Sequence, residues 1–183
     1  MRKVLFLLGA LDDDDVEWMI RAGRTERVPA GTTLMHERQP VDALSIVLEG
    51  SIVVLAEALG GQEVARLGVG EVVGEMSLVD GRPPSATVRT LEPSTLLVIP
   101  RQALVDKLAA DQGFAARLYK AIATFLSDRL RGTVSRLGYG EGQHLDDEVE
   151  FADELDPAVL DTVYLAGIRF DRMLKRLVEH AEQ

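Results

Sequence analysis

The sequence predicts an α+β fold in which a barrel or sandwich of antiparallel strands is flanked by helices. Three observations carry this prediction. Residues 25–100 contain short β-branched runs separated by Gly, Pro and Asp, the pattern of strands joined by tight turns. An acidic run starts a short periodic segment near the N-terminus, and after Pro100 apolar residues recur at helical spacing.

The first predicted helix covers about residues 12–22. Asp12 is a suitable N-cap, and the aspartates at 13–15 are favoured in a first helical turn by the helix dipole. A calcium site is the alternative for this acidic run, but contiguous aspartates lack the alternating ligands and central glycine of a calcium loop. We therefore interpret the run as structural.

Seven strands are predicted in the middle of the chain, with glycines at their turns. The Gly60-Gly61 pair predicts a hairpin, because both residues accept a positive φ at little cost. The predicted strands cover residues 26–29, 32–36, 44–48, 52–57, 63–67, 86–91 and 94–99.

A long helix ending near Gly138 is predicted from apolar residues at three- and four-residue steps. Its apolar stripe must be covered, either by the barrel of the same chain or by the same helix of a second copy. We expect a homodimer, because an isolated helix with this stripe would be poorly soluble. The stripe consists of Phe114, Leu118, Ile122, Phe125, Leu126, Leu130, Val134 and Leu137.

The chain divides into three predicted parts. Residues 1–137 form the main domain with the long helix, residues 138–156 a Gly-rich and acidic linker, and residues 157–183 an accessory helix that begins with a well-placed proline. Basic residues late in that helix either complement its dipole or dock a protein partner. They are Arg169, Arg172, Lys175 and Arg176.

The composition argues against several classes of function. The formal net charge of −10 disfavours nucleic-acid binding, which depends on Lys and Arg. Without cysteine there is no disulfide or thiolate metal site, as is usual in a reducing compartment. The apolar residues 4–11 are too few for a signal peptide or a membrane span, so we expect a cytoplasmic protein with no membrane contact.

Motifs of catalysis are also missing from the sequence. The three histidines, His36, His144 and His180, lie far apart and show no metal-ligand spacing. The sequence contains no Gly-x-Ser-x-Gly elbow, Walker loop or dinucleotide fingerprint. We therefore expect neither an enzyme nor a metal or cofactor site.

The most informative segment runs from residue 74 to residue 88 and reads GEMSLVDGRPPSATV. It places a glycine, a carboxylate and hydroxyls in one short turn whose backbone N–H groups favour an anion. This segment resembles the phosphate-binding cassette of the cyclic nucleotide-binding domain family, whose pattern is Gly-Glu, a few apolar residues, then Pro-Arg-Ser/Ala-Ala-Thr-Val. The resemblance covers about residues 10–137, including Pro29-Ala30-Gly31 and Leu48-Glu49-Gly50.

The resemblance implies a β-roll, or jelly-roll barrel, of the type found in CRP and in protein kinase A regulatory subunits. It adds a cassette helix to the N-terminal, long and accessory helices predicted above. Transcription factors of the family also carry a helix-turn-helix domain of roughly 70 residues with a basic recognition helix. About 45 residues follow Gly138, and they hold about twelve acids against four Lys or Arg, so we do not expect DNA binding here.

The same resemblance implies a site for cAMP or cGMP. Glu75 would accept a hydrogen bond from the ribose hydroxyl, Ser85 would donate one to the phosphate, and Thr87 would lie near the base. The residues expected to bring their backbone close to the ligand are Gly74, Met76, Ser77 and Ala86.

Position 84 departs from the family pattern. Pro84 stands where the family has the arginine that meets the phosphate, a contact worth about 1.5–3 kcal/mol. Three interpretations remain open: Arg82 reaches the phosphate from two residues upstream, the pocket binds weakly through backbone donors, or it binds something else or nothing.

Other side chains are assigned supporting roles. Met76 and Val79 are expected to pack the cassette helix onto the barrel, and residues 129–136 of the long helix are candidates to cap the base or transmit a shift. We predict a sensing module that binds a cyclic nucleotide or a related anion and signals to a protein partner by moving its helices. The alternative is a dimerisation scaffold of the same fold with a degenerate pocket.

Overall fold

The computed structural model describes residues 3–138 and 157–178. The predicted linker at 138–156 lies, apart from its first residue, outside this part of the chain. The α-helices of these described residues are α1 (Lys3–Ala10), α2 (Asp13–Ala22), α3 (Glu75–Asp80), α4 (Arg101–Ala110), α5 (Gln112–Gly138) and α6 (Pro157–Val178). The eight strands are β1 (Arg24–Val28), β2 (Thr33–Met35), β3 (Ala43–Glu49), β4 (Ile52–Ala56), β5 (Gln62–Leu67), β6 (Val72–Val73), β7 (Thr87–Thr90) and β8 (Ser94–Pro100).

Two four-stranded antiparallel sheets form the β-roll, which confirms the predicted fold class. One sheet has the order β1-β8-β3-β6 and the other the order β2-β7-β4-β5. All seven predicted strands are present within two residues of their expected ends, and the hairpin at Gly60-Gly61 joins β4 to β5. The strand that sequence patterns missed is β6, which is only two residues long and pairs with Ser45 and Ile46.

The two central strands of the first sheet, β3 and β8, bury side chains on both faces and contribute to two hydrophobic clusters. Successive residues of a strand point to opposite faces. In β8, Leu96 and Val98 join the cluster between the sheets, whereas Leu97 and Ile99 join a larger cluster beneath the helices. The sheet therefore connects the inside of the roll to the helical layer.

Helix α1 is a core element that the sequence analysis did not predict as a helix. Val4, Leu7 and Leu8 are at most 1 % exposed and pack in the helical cluster. The helix lies against α5 and α6. The apolar N-terminal run is thus explained by burial inside the domain. In the described ranges, 3–138 and 157–178, the hydropathy of the helices falls short of what a membrane span requires.

Helix α2 begins as predicted from its acidic run. The Asp12 side chain accepts a hydrogen bond from the Asp15 N–H at 2.9 Å, and the Asp15 side chain accepts one from the Asp12 N–H at 3.1 Å. This reciprocal capping box satisfies two backbone donors that a helix start leaves without partners.

The apolar stripe of α5 is covered by the same chain over its first half. Phe114, Leu118, Ile122 and Phe125 are at most 2 % exposed and share a cluster with residues of α1 and α6. Farther along, Leu130 is 64 % exposed. The stripe residues at 134 and 137 have no described side chains. The expected homodimer stays a prediction, because these contacts lie within one chain.

Arg169 fixes α6 to the N-terminal helices. Its side chain is 10 % exposed, donates to the carbonyl oxygens of Leu8 and Leu11 at 2.7 and 2.6 Å, and pairs with Asp13 at 2.7 Å. Helix α6 begins at Pro157 as predicted. Part of its basic cluster therefore has a structural role inside the chain.

Candidate ligand-binding site

A cavity of about 70 Å³ opens where α3, the loop before β7 and the second sheet meet. Six of the eight predicted site residues line it, and strands of the roll supply an apolar wall. The lining residues are Lys3, Met35, Val54, Leu67, Val73, Gly74, Glu75, Met76, Ser77, Pro84, Ser85, Ala86 and Val88. The contiguous cassette thus folds around one space.

Gly74 permits the turn that opens the cassette. Its φ is +97°, in the left-handed region that glycine enters most easily. A Cβ at this position would also come within 2.5 Å of the Ala43 carbonyl oxygen. A side chain is therefore excluded twice, by backbone conformation and by the close approach of β3.

Helix α3 places the cassette amides and Glu75. Its first internal hydrogen bond runs from the Leu78 N–H to the Gly74 carbonyl at 3.3 Å, so the N–H groups of residues 75–77 precede the helical bonding pattern. Glu75 and Ser77 are 4 % and 5 % exposed. Both line the cavity. These residues offer an acceptor, a hydroxyl and amide donors to a small polar ligand.

The packing role expected for Met76 and Val79 was wrong. Both side chains are 47 % exposed, whereas Leu78 is 7 % exposed and joins the large hydrophobic cluster. In this helix of six residues the buried positions are taken by Glu75, Ser77 and Leu78, which leaves Met76 and Val79 toward the outside. Met76 remains at the rim of the cavity.

The loop after α3 brings Pro84, Ser85 and Ala86 to the cavity. The Pro84 carbonyl accepts a hydrogen bond from the Arg38 N–H at 2.9 Å, which attaches this loop to the turn after β2. Ser85 is exposed, and Ala86 is half-buried. Position 84, where the family pattern has an arginine, therefore lies at the cavity. Its proline has no hydrogen-bond donor to offer a ligand.

Arg82 and Thr87 do not line this cavity. Arg82 lines a separate cavity of about 190 Å³ together with Asp42 and Arg101. The Thr87 hydroxyl accepts a hydrogen bond from the Glu37 N–H at 3.1 Å, so it supports the turn after β2. Of the long-helix candidates at 129–136, Arg131 has an exposed side chain, and the others except Leu130 have no described side chain.

Lys3 is a lining residue that sequence reasoning missed. It lies 71 positions before Gly74 in the sequence, and no motif of the cassette includes it. A charged residue at the start of an apolar segment is weak evidence for a binding site, because the same pattern is typical of an exposed helix end. Only the packing of α1 under the roll brings it to the cavity.

Electrostatics elsewhere in the fold stabilise the helical layer. Arg117 of α5 donates to Asp15 of α2 at 2.6 and 3.0 Å and contacts Asp12 at 3.0 Å. Burial alone would raise the pKa of Asp15, but the hydrogen bond and positive charge of Arg117 lower it below its ordinary value of 3.8. In the described ranges, groups of three or more potential metal ligands do not occur.

The comparisons agree with this geometry. A family model described as the cyclic nucleotide-binding domain matches residues 25–111, which include the cassette and all eight strands except the first residue of β1. An uncharacterized NTE family protein of Mycobacterium tuberculosis is 28 % identical over 120 residues, which are 66 % of this chain and 20 % of that protein. A cyclic AMP receptor protein of Thermus thermophilus is 32 % identical over 107 residues, covering 56 % of this chain and 50 % of that protein.

Solved structures show the same architecture. A cyclic nucleotide-binding domain from Methylobacillus flagellatus has a TM-score of 0.67 at 24 % identity and covers 79 % of this chain and 85 % of its own. The N-terminal domain of a transcriptional regulator from Streptomyces coelicolor has a TM-score of 0.58 at 31 % identity and covers 78 % of this chain and all of its own. The chain spans only a fifth to a half of the two curated relatives named above.

The two sheets, the embedded helix α3 with its glycine entry, and the matched family model all identify the same domain. Residues 25–111 of this chain form a domain of the cyclic nucleotide-binding domain family.

Proposed function

We propose that this protein is a regulatory module that binds cAMP, cGMP or a related small anion in the cassette cavity. The observation that carries the proposal is the gathering of Gly74, Glu75, Ser77 and Ser85 around one space in a chain of this family. The residues offer an acceptor for a ribose hydroxyl, donors for a phosphate and an apolar wall for a base. A non-enzymatic role suits this set of groups.

Binding requires the cavity to open. Its volume of about 70 Å³ is well below the roughly 300–1,000 Å³ of typical small-molecule sites. The Met76 side chain and the loop at Ser85 are exposed and form its rim, so this side chain and this loop can move while Leu78 keeps α3 in the hydrophobic cluster. A ligand that stabilises the open form would then shift the population of conformers.

The signal would pass from the cassette to the helices through α1. The Val4 N–H donates to the Gly70 carbonyl at 2.9 Å, four residues before the cassette begins. Helix α1 packs in turn against α5 and α6. A displacement of the cassette that moves the turn at Gly70 would change the helical surface that a protein partner binds. Exposed apolar residues of α6, such as Tyr164, belong to that surface.

A homodimer through α5 is part of the same proposal. The exposed Leu130 continues the apolar stripe beyond its covered half. Sedimentation should then give twice the chain mass of 20.0 kDa, and the monomer mass at high concentration would refute the dimer.

A dimerisation scaffold with a degenerate pocket is the second candidate. Two observations favour it, the small cavity volume and the proline at position 84. It has the same fold and the same helical surfaces but responds to no nucleotide.

Titration calorimetry with cAMP and cGMP separates the two candidates. We expect binding heat at micromolar to millimolar nucleotide, and a tenfold to hundredfold weaker complex in Glu75→Gln, roughly the range for a hydrogen bond to a charged group. Arg82→Ala is the matched control inside the cassette and should leave the affinity unchanged, because Arg82 lines the other cavity. Absence of heat at millimolar nucleotide would favour the scaffold.

A gain-of-function variant provides the converse measurement. Pro84→Arg restores a guanidinium at the family position while the backbone carbonyl bonded to Arg38 is retained. Affinity should rise by about tenfold to a hundredfold if the rest of the pocket is intact. An unchanged affinity in this variant would mean that the loop does not present residue 84 to the ligand.

A further inference from the structure

The cassette cavity contains a cation from outside the cassette. Among the described residues that line it, Lys3 is the only basic one. Its side chain is 11 % exposed although it belongs to the residue type that is least often buried. Burial of an ammonium group is costly unless negative groups or hydrogen-bond acceptors surround it.

The contacts of this ammonium group within the described residues are long. Its Nζ lies 3.4 Å from Glu71 Oε2 and 3.4 Å from the Val72 carbonyl oxygen. Charge-assisted N–H···O bonds are usually about 2.7–2.9 Å long. Glu71 Oε2 is itself buried without a hydrogen bond. The hydrogen-bonding groups of Lys3 and Glu71 are therefore incompletely satisfied. A further anion near the ammonium group would stabilise its positive charge.

Lys3 is nevertheless held in place on its other sides. The N–H of Val4, the next residue, bonds to the Gly70 carbonyl, and the Nζ lies 5.9 Å from the centre of the Phe125 ring. The main chain of α1 thus fixes where the flexible side chain starts. An ammonium group on a four-carbon stem can reorient its three donors toward a new acceptor without moving the helix.

We infer that Lys3 is the cation that meets the phosphate of a ligand in the cassette cavity, in place of the arginine that position 84 lacks. This inference rests on the proposed function and names the ligand class, a singly charged phosphate diester. Glu71 keeps the buried ammonium group neutralised while the cavity has no anion. On binding, the phosphate becomes the second negative partner of Lys3.

The experiment measures binding of cAMP and of inorganic phosphate by calorimetry, with the full chain bearing no N-terminal tag. Lys3→Gln should weaken cAMP binding by about tenfold to a hundredfold, the range for one charge-assisted hydrogen bond. Lys3→Arg should restore most of it. Glu71→Gln removes the competing negative charge and should tighten binding, whereas Arg24→Gln, an exposed site outside the cavity, should change nothing.

Each result has a definite consequence. If wild-type protein binds cAMP and Lys3→Gln binds it equally well, the Lys3 inference is overturned while the proposed function stands. If cAMP is not bound but inorganic phosphate binds in a Lys3-dependent manner, Lys3 stands as the phosphate-binding cation, while the diester ligand class and the nucleotide function fail. If neither ligand binds, both fail. If Lys3→Gln does not fold, binding by Glu71→Gln tests the inference instead. Unchanged or weaker binding in Glu71→Gln would show that the Lys3–Glu71 pair is purely structural, and this would overturn the inference.

Discussion

Gly74 is the residue on which the shape of the cassette depends most directly. Sequence reasoning could select it, because a glycine before a carboxylate and a short apolar run is a recognisable pattern. The sequence could not predict the close approach of the Ala43 carbonyl oxygen, since that contact joins residues separated by 31 positions. The same limit explains why Lys3 was missed.

Gly74→Ala should lower the free energy of unfolding by about 2–4 kcal/mol, because strain from the positive φ adds to the clash with Ala43. Gly81→Ala is the matched control at the other end of α3. It has a positive φ of +70° but no atom within 4 Å of an added Cβ. Only the strain of the left-handed backbone should therefore lower the stability, by roughly 1–2 kcal/mol. Equal losses in chemical denaturation of the two variants would contradict the close approach.

Asp15 is expected to make stability depend on acid pH. Because its pKa is lower in the folded than in the unfolded chain, its contribution is complete above the ordinary value of 3.8 and disappears as pH falls through the lower folded value. Asp15→Asn should cost about 1–3 kcal/mol at neutral pH, and the difference from wild type should shrink in strong acid.

Urea denaturation across that pH range checks the Asp15 prediction. Asp14→Asn is the control, since Asp14 is exposed in the same helical turn. A constant difference between wild type and Asp15→Asn at all pH values would show that the ion pair with Arg117 is not its source.

At the scale of elements, local signals decided which helices and strands could be predicted. The capped helix α2 and the long periodic helix α5 carry strong signals. In contrast, α1 has no acidic residue in its first turn and α4 follows Pro100 without a side-chain cap. Strand β6 is too short to show alternation. These three elements form because of tertiary packing and pairing, which a local pattern does not contain.

Helix α6 depends on Arg169 for its position. Arg169→Met leaves the carbonyls of Leu8 and Leu11 without this donor near the end of α1, where helical carbonyls have no partner of their own. We expect faster hydrogen exchange of α6 amides and a loss of about 1–3 kcal/mol in stability. Arg172→Met, one turn away on an exposed face, is the control. Identical exchange in the two variants would exclude Arg169 as the attachment.

For the molecule as a whole, the sequence predicted a barrel or sandwich of antiparallel strands, a long helix and an accessory helix, but not how these elements cover one another. The apolar stripe on the long helix indicated that a cover was needed. The structure provides it through α1, which lies against both helices. One N-terminal helix therefore links the cassette cavity, through Lys3, to the helical surfaces proposed to carry a signal.

The most direct test is a crystal structure of the full chain grown with saturating cAMP. We expect nucleotide density in a widened cavity, with the ribose at Glu75 and the phosphate near Ser85 and the Lys3 ammonium group. An unchanged cavity of about 70 Å³ without density at saturating nucleotide would contradict it.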